Sequence, residues 1–118
     1  MTPDECFSGS PQSKKLFAAV ACEIEAIGQS TTRVTKSQVA FRRRRTFAAV
    51  WMPAQYLKRQ SAPLVLTIYL RHRNSSPRWK QIVQPAPGRF THHLELYDPA
   101  EIDEEVRSWL REAWGTAG

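Results

Sequence analysis

Leu16, Val20, Ile24 and Ile27 recur at intervals of four, four and three, with Phe17 on the flank, which lines up one apolar stripe at the 3.6-residue period of an α-helix. Ser10 or Ser13 supplies a cap at its start and Gly28 a stop at its end. From Thr31 to Trp51 the period drops to two. Val39 and Phe41 alternate with polar or small residues before a run of four arginines, and Phe47, Ala49 and Trp51 alternate after it. One unbroken strand would put Arg43 and Arg45 on the face of Phe41 and Phe47, so the pattern predicts a hairpin with its turn inside the arginine run. Setting Phe41 opposite Phe47 on one buried face requires an odd loop, either 43–45 or 42–46.

Pro53 ends that strand, and residues 54–62 form a basic connection or one helical turn. Leu64, Leu66, Ile68 and Leu70 are the inner face of a third strand over 64–70. The stretch 71–88, interrupted by Pro77, Pro85 and Pro87, is expected to be a long loop with at most a turn around 78–83. A fourth strand over 90–97 sets Phe90, His92, Leu94 and Leu96 on one face and Thr91, His93, Glu95 and Tyr97 on the other. Asp98, Pro99 and Glu101 read as cap, first helical position and capping-box partner of a closing helix, whose stripe is Ile102, Val106, Trp109, Leu110 and Ala113. The expected fold is α+β: a mostly antiparallel four-stranded sheet with an N-terminal and a C-terminal helix packed on one face. Residues 1–10 are expected to be a flexible arm and 11–118 a single domain.

Composition narrows the class. At 118 residues, 42% hydrophobic and 24% charged, the chain fits one globular domain and not a collagen-like, disordered or disulfide-scaffold protein. Cys6 and Cys22 have neither a CxxC spacing nor a histidine cluster beside them, so neither a zinc site nor a thioredoxin-type motif is expected. No apolar leader is visible, and the longest apolar stretch, 62–70, is too short for a bilayer, so a cytoplasmic location without membrane insertion is the expectation.

Charge changes the picture most. The net +6 is segregated: between Glu25 and Glu95 there is no acidic residue, and thirteen of the seventeen cations fall there. Such a segment favours anionic partners. The densest part is Arg42, Arg43, Arg44 and Arg45, whose guanidinium forks suit phosphate oxygens. With Lys36, Lys58, Arg59, Arg71 and Arg73 they are the candidate nucleic-acid or anion contacts. The competing reading of the same run is a solvated loop.

The chemistry of common enzymes is absent. The five glycines form neither a P-loop nor a GxGxxG turn, and GxSxG and HExxH do not occur. A metal-dependent nuclease needs clustered carboxylates, which the basic segment lacks. No metal, cofactor or catalytic residue is expected. Tyr69, Trp79, His92 and His93 are the candidates for a pocket. His92 and His93 lie on opposite faces of a strand and cannot share a metal, but His93 faces the same way as Glu95 and can be oriented by it as a general base. Trp79, between Arg78 and Lys80, either stacks on a base or pins its loop.

The segments VTKSQVAFRRRRTFAAVW, PLVLTIYLR, SPRWKQIVQPAPGRFTHHLEL and EIDEEVRSWLREAW, spanning about 16–114, resemble the uncharacterised bacterial family called domain of unknown function 5655. That resemblance implies a small domain that stands alone or behind other domains, and it carries over no activity and no catalytic residue. The closing strand-helix unit is also similar in architecture to MmcQ/YjbR-type proteins, for which a DNA-binding-like fold is suggested.

The leading expectation is therefore a non-enzymatic module that binds an anionic partner, nucleic acid foremost, through the basic hairpin. One alternative is a pocket or undiscovered enzyme site for a small anion, lined by Lys36, Arg71, His92 or Tyr69. The other is self-association, in which the basic middle of one copy meets the acidic helix of another at Glu101, Asp103, Glu104, Glu105 and Glu112.

Overall fold

The computed structural model describes residues 3–7, 10–53 and 62–118. Along the chain come helices α1 (Pro3–Cys6) and α2 (Pro11–Ile27), strands β1 (Thr31–Val34), β2 (Gln38–Arg42), β3 (Thr46–Trp51), β4 (Leu64–Leu70), β5 (Gln81–Ala86) and β6 (Arg89–Leu96), a 3-10 turn (Pro99–Glu101) and α3 (Glu104–Thr116). The strands form one antiparallel sheet in the order β1-β2-β3-β4-β6-β5. The fold is α+β as expected, with six strands among the described residues instead of four.

The two extra strands are the edges, and edges carry the weakest sequence signal. The first arm of the expected hairpin folds back on itself. Thr35 Oγ1 accepts the N–H groups of Ser37 and Gln38 and closes a turn, so β1 lies beside β2. At the other edge β5 occupies part of the stretch expected to be a loop. Ile82 and Ala86 are half-buried and its other residues exposed, so no alternation marks it, and Pro85 is tolerated because an edge strand has a side without ladder bonds. Pro87 and Gly88 join β5 to β6. Gly88 has φ 70°, the left-handed value that the second central position of a Pro-Gly turn demands.

The arginine loop spans 43–45 and Arg42 pairs with Thr46, one of the two expected geometries, yet Phe41 lies opposite Ala48 and not opposite Phe47. Phe47 is the extra residue of a β-bulge. Because side chains alternate with period two, that single insertion turns Ala48 and Val50 to the core face and Ala49 and Trp51 to the other. Phe41 and Phe47 are both buried all the same.

α2 follows its stripe. Ser10 accepts the Ser13 N–H, Pro11 sits at the first turn, and Leu16, Val20 and Ile24 are buried. Ser13, also buried, donates to the Pro63 carbonyl at 2.6 Å and fastens α2 to the start of β4. The capping box at Asp98 closes only the 3-10 turn: Glu101 accepts the Asp98 N–H at 2.9 Å and Asp98 accepts the Ala100 N–H at 2.8 Å. The chain then leaves the helical region at Ile102, and Asp103 caps α3 proper, so the closing helix begins later than its first cap suggests. Ile102, Val106, Trp109, Leu110 and Ala113 are buried as the stripe requires, and α3 lies over β3 and β4 with α2 beside it. Each fully buried Leu, Ile or Phe here contributes about 1.5–3 kcal/mol. Within the stretch read as a mobile arm, Cys6 and Phe7 join this core, with the Phe7 ring 5.3 Å from that of Phe17.

Two glycines give opposite expectations. A Cβ at Gly28 would come within 2.8 Å of Cε2 of the Trp114 indole, whereas one at Gly115, inside α3, meets nothing within 4 Å. Gly28→Ala is expected to lose about 1–3 kcal/mol to overpacking, and Gly115→Ala to gain about 0.5 kcal/mol from reduced chain entropy. Urea unfolding of both variants measures the difference.

Candidate anion-binding cleft

Antiparallel pairing decides which turns share an end of the sheet. The β2–β3 tip, the exit of β4 and the β5–β6 turn all fall at one end, where α3 also terminates. A helix C-terminus presents carbonyls without intrahelical partners and a partial negative charge. Here the arginine tip meets them. The backbone N–H groups of Arg44 and Arg45 donate to the Ala117 carbonyl at 3.0 and 2.9 Å. Arg43 donates to the Trp114 carbonyl at 3.3 Å while its guanidinium carbon lies 3.7 Å over the Trp114 ring. Arg71 donates to the Thr116 carbonyl at 3.0 Å. Trp114 is held from the other side by its indole N–H, which donates to the Gln29 carbonyl at 2.9 Å.

Beside this junction opens a cleft of 540 Å³ lined by Arg42, Arg44, Arg45, Arg71 and Arg89. Among the described residues no Asp or Glu lines it. Arg42, Arg44, Arg45 and Arg89 are exposed and form no ion pair among the described residues. Phe47, Leu70 and Phe90 supply apolar wall, and Thr46, Tyr69 and Thr91 supply hydroxyls. Burial raises the Tyr69 pKa above the ordinary phenol value, so it stays a hydrogen-bond donor at neutral pH. Five guanidinium groups with no carboxylate among the described lining residues repel one another, and an anion bound there would relieve that repulsion.

Of the expected contacts, Arg42, Arg44, Arg45 and Arg71 line the cleft, and Arg43 is turned onto Trp114. Lys36 sits on the β1–β2 turn at the opposite end of the sheet. Arg73 lies past the end of β4 and does not line the cleft, and Lys58 and Arg59 lie outside the described residues. Arg89 belongs to the cleft and was not singled out in the sequence. The signal that finds it is the Pro87–Gly88 turn, which makes Arg89 the first residue of β6 beside the arginine tip.

The four pocket candidates do not converge. Only Tyr69 lines the cleft. Trp79 is buried, packed 4.2 Å from the Trp109 ring and 4.7 Å from His92, and its indole N–H donates to Asn74 Oδ1 at 3.0 Å. His92 is fully buried and accepts the Asn74 N–H on Nε2 at 3.0 Å, while Nδ1 donates to the Phe90 carbonyl at 3.3 Å. Burial pushes its pKa down, the Phe90 contact opposes this, and the nearby His72 and Arg73 add to the lowering. Trp79 and His92 thus fasten the 71–80 connection to the core. His93 faces the other side of the sheet, its Nδ1 2.8 Å from Thr67 Oγ1, which accepts the Trp51 indole N–H at 2.9 Å. Burial lowers its pKa as well. The Thr67 hydroxyl holds His93 Nδ1, and no contact by which Glu95 would orient His93 is found among the described residues.

The acidic helix is largely engaged within the chain. Arg78 donates to both Asp103 oxygens at 3.0 Å, to Glu105 at 2.9 Å and to the Glu101 carbonyl at 2.9 Å. The Arg78 contact, with the Val106 N–H, holds the Asp103 carboxyl below its usual range. Glu104 pairs with Arg107 and Arg111, and Glu112 with His72. The carboxylates expected to attract a second copy therefore already have partners.

The chain belongs to the family described as Domain of unknown function (DUF5655), whose model matches residues 4–117. No curated protein and no solved structure gives a significant match. The likeness to MmcQ/YjbR-type proteins is not shown by these comparisons. Among the described residues no helix is long and apolar enough to cross a membrane.

The two buried imidazoles make stability depend on pH. Unfolded, each titrates near pH 6.5; folded, each titrates lower, so between those values the unfolded chain binds more protons. Their contribution is complete above about pH 6.5 and is lost as pH falls from there towards the folded values. The melting temperature is expected to be level from pH 7 to 8 and to decline below about 6.5, before Asp103, whose sign is the same, matters near pH 4. Imidazole NMR titration checks the assignment: His92 and His93 should both titrate below the ordinary histidine value.

Proposed function

We propose that this member of the DUF5655 family is a binding module that takes an anionic partner, nucleic acid foremost, at the arginine end of its sheet. The observation that carries the reading is the convergence of Arg42, Arg44, Arg45, Arg71 and Arg89 on one cleft that no described carboxylate lines. The contrast with the rest of the surface strengthens it. Arg78, Arg107 and Arg111 are committed to acids, whereas the cations of the cleft form no ion pair among the described residues. Guanidinium forks bind phosphate oxygens bidentately and keep their charge at any physiological pH. No His, Cys, Lys, Asp or Glu lies among the described residues that line the cleft, and the reading proposed is one of binding.

Phosphate contacts release counterions, so affinity depends steeply on salt. With about four contacts, binding of labelled single-stranded or duplex oligonucleotides should weaken about a hundredfold between 50 and 200 mM salt. The variant Arg42→Gln/Arg44→Gln/Arg45→Gln, which keeps Arg43 on Trp114, should flatten the log–log slope by about three with little change in melting temperature. Fluorescence anisotropy across the salt series reads both. Binding indifferent to salt and to the variant would overturn the proposal.

A further inference from the structure

The shape of the cleft says more about the ligand than its sign does. A phosphodiester backbone spreads one charge per phosphate along a strand, and a surface that tracks it needs a row of uncommitted cations. Here the cations gather around one concavity. Among the described residues outside it, Lys14 and Lys15 lie on α2, Arg33 and Lys36 on β1 and its turn, and Arg73 and Lys80 on the 71–80 connection, none of them lining the cleft, and the cations of the α3 face are paired with carboxylates. A concentrated charge of two on three oxygens matches such a cluster better than a single-charge diester does.

The volume points the same way. At 540 Å³ the cleft falls in the size range of small-molecule pockets and leaves room beyond a phosphate group. Phe47, Leu70 and Phe90 line that further space, with the protonated Tyr69 hydroxyl at its side. The backbone that carries the cluster is held before any ligand arrives, because the Arg44 and Arg45 N–H groups are bonded to Ala117, and the Arg71 side chain is itself bonded to Thr116. A preformed arrangement avoids part of the ordering cost of binding.

We infer that the cleft binds a nucleotide through a terminal phosphomonoester, either the phosphorylated end of a strand or a free mononucleotide. This rests on the anion-binding reading above and narrows it from any polyanion to a doubly charged terminal phosphate with a nucleoside attached.

The test compares a labelled ten-nucleotide strand carrying a 5′-phosphate, a 3′-phosphate or hydroxyls at both ends, by anisotropy at fixed salt. A strand with one of the phosphates is expected to bind about tenfold more tightly than the hydroxyl strand. The preference should shrink as pH falls from 7.5 to 5.5 through the second phosphate ionisation near 6. Arg89→Gln and, separately, Arg44→Gln should abolish it while leaving the melting temperature in place. Competition separates the sources: displacement by adenosine monophosphate assigns the site to free mononucleotides, and failure to displace a preferred phosphorylated strand assigns it to strand ends. Displacement by inorganic phosphate as strong as that by the mononucleotide would overturn the nucleoside part of the inference. Equal, salt-sensitive binding of all three strands would overturn the inference and leave the polyanion reading standing. No salt-sensitive binding by any strand, with no displacement or stabilisation by the mononucleotide, would overturn both.

Discussion

The carbonyl groups at the C-terminal end of α3 need donors, and the arginine tip of the β2–β3 hairpin supplies them. Arg44 and Arg45 give their backbone N–H groups to Ala117, Arg43 gives a guanidinium N–H to Trp114, and Arg71 reaches Thr116 from the exit of β4. This junction ties the last helix to two neighbouring strand ends and seats Trp114 against Gly28 and Gln29, where α2 stops. It also decides where the positive charge goes. Backbone donors suffice for Ala117, so the side chains of Arg44 and Arg45 remain on the cleft with Arg42 and Arg89. One run of arginines is thus divided: Arg43 packs onto Trp114 and holds the end of α3, and the side chains of its neighbours line the cleft proposed to take an anion.

The division of charge across the molecule follows the same logic. Acids concentrate on the 3-10 turn and α3, and the cations that reach them, Arg78, Arg107 and Arg111, are spent there. Exposed pairs of this kind contribute little each, about 0–1 kcal/mol. Arg78 differs in kind because it also holds a backbone carbonyl and lies 5.6 Å over the Trp109 ring, which makes it the fastening of the 71–80 connection. The arginine end has no acid partner among the described residues, and such a cluster of like charges favours an anion, which is the basis of the proposed binding role.

Much of this was legible in the sequence wherever one residue type repeats at one period. The stripes of α2 and α3 and the alternation of β4 and β6 report core faces directly, and Ser10, Pro11 and Asp98 mark helix or turn starts. Failures came where a local rule competed with a tertiary one. β1 and β5 pair on one side only and bury little, so their side chains carry no alternation. The bulge at Phe47 reverses the faces of Ala48 to Trp51, which no count of hydrophobic positions reveals. The Asp98 capping box closed a 3-10 turn because Asp103 offered a second cap. Of the site, the arginine run was visible as charge, but separating Arg43 from Arg44 requires knowing where α3 ends. Arg89 enters the cleft only through the β5–β6 hairpin, and His92 and Trp79, chosen for their chemistry, are occupied by Asn74.

The most direct test of this division sets two single variants side by side, Arg43→Gln and Arg44→Gln, each measured for melting temperature and for oligonucleotide affinity. Removing Arg43 takes away a cation–π contact and a helix-end hydrogen bond and should cost about 1–2 kcal/mol of stability with affinity nearly unchanged. Removing the Arg44 side chain should leave stability nearly unchanged and weaken binding. If instead both variants lose affinity equally at unchanged stability, or Arg44→Gln binds as the parent does, the assignment of structural and ligand-facing arginines is wrong.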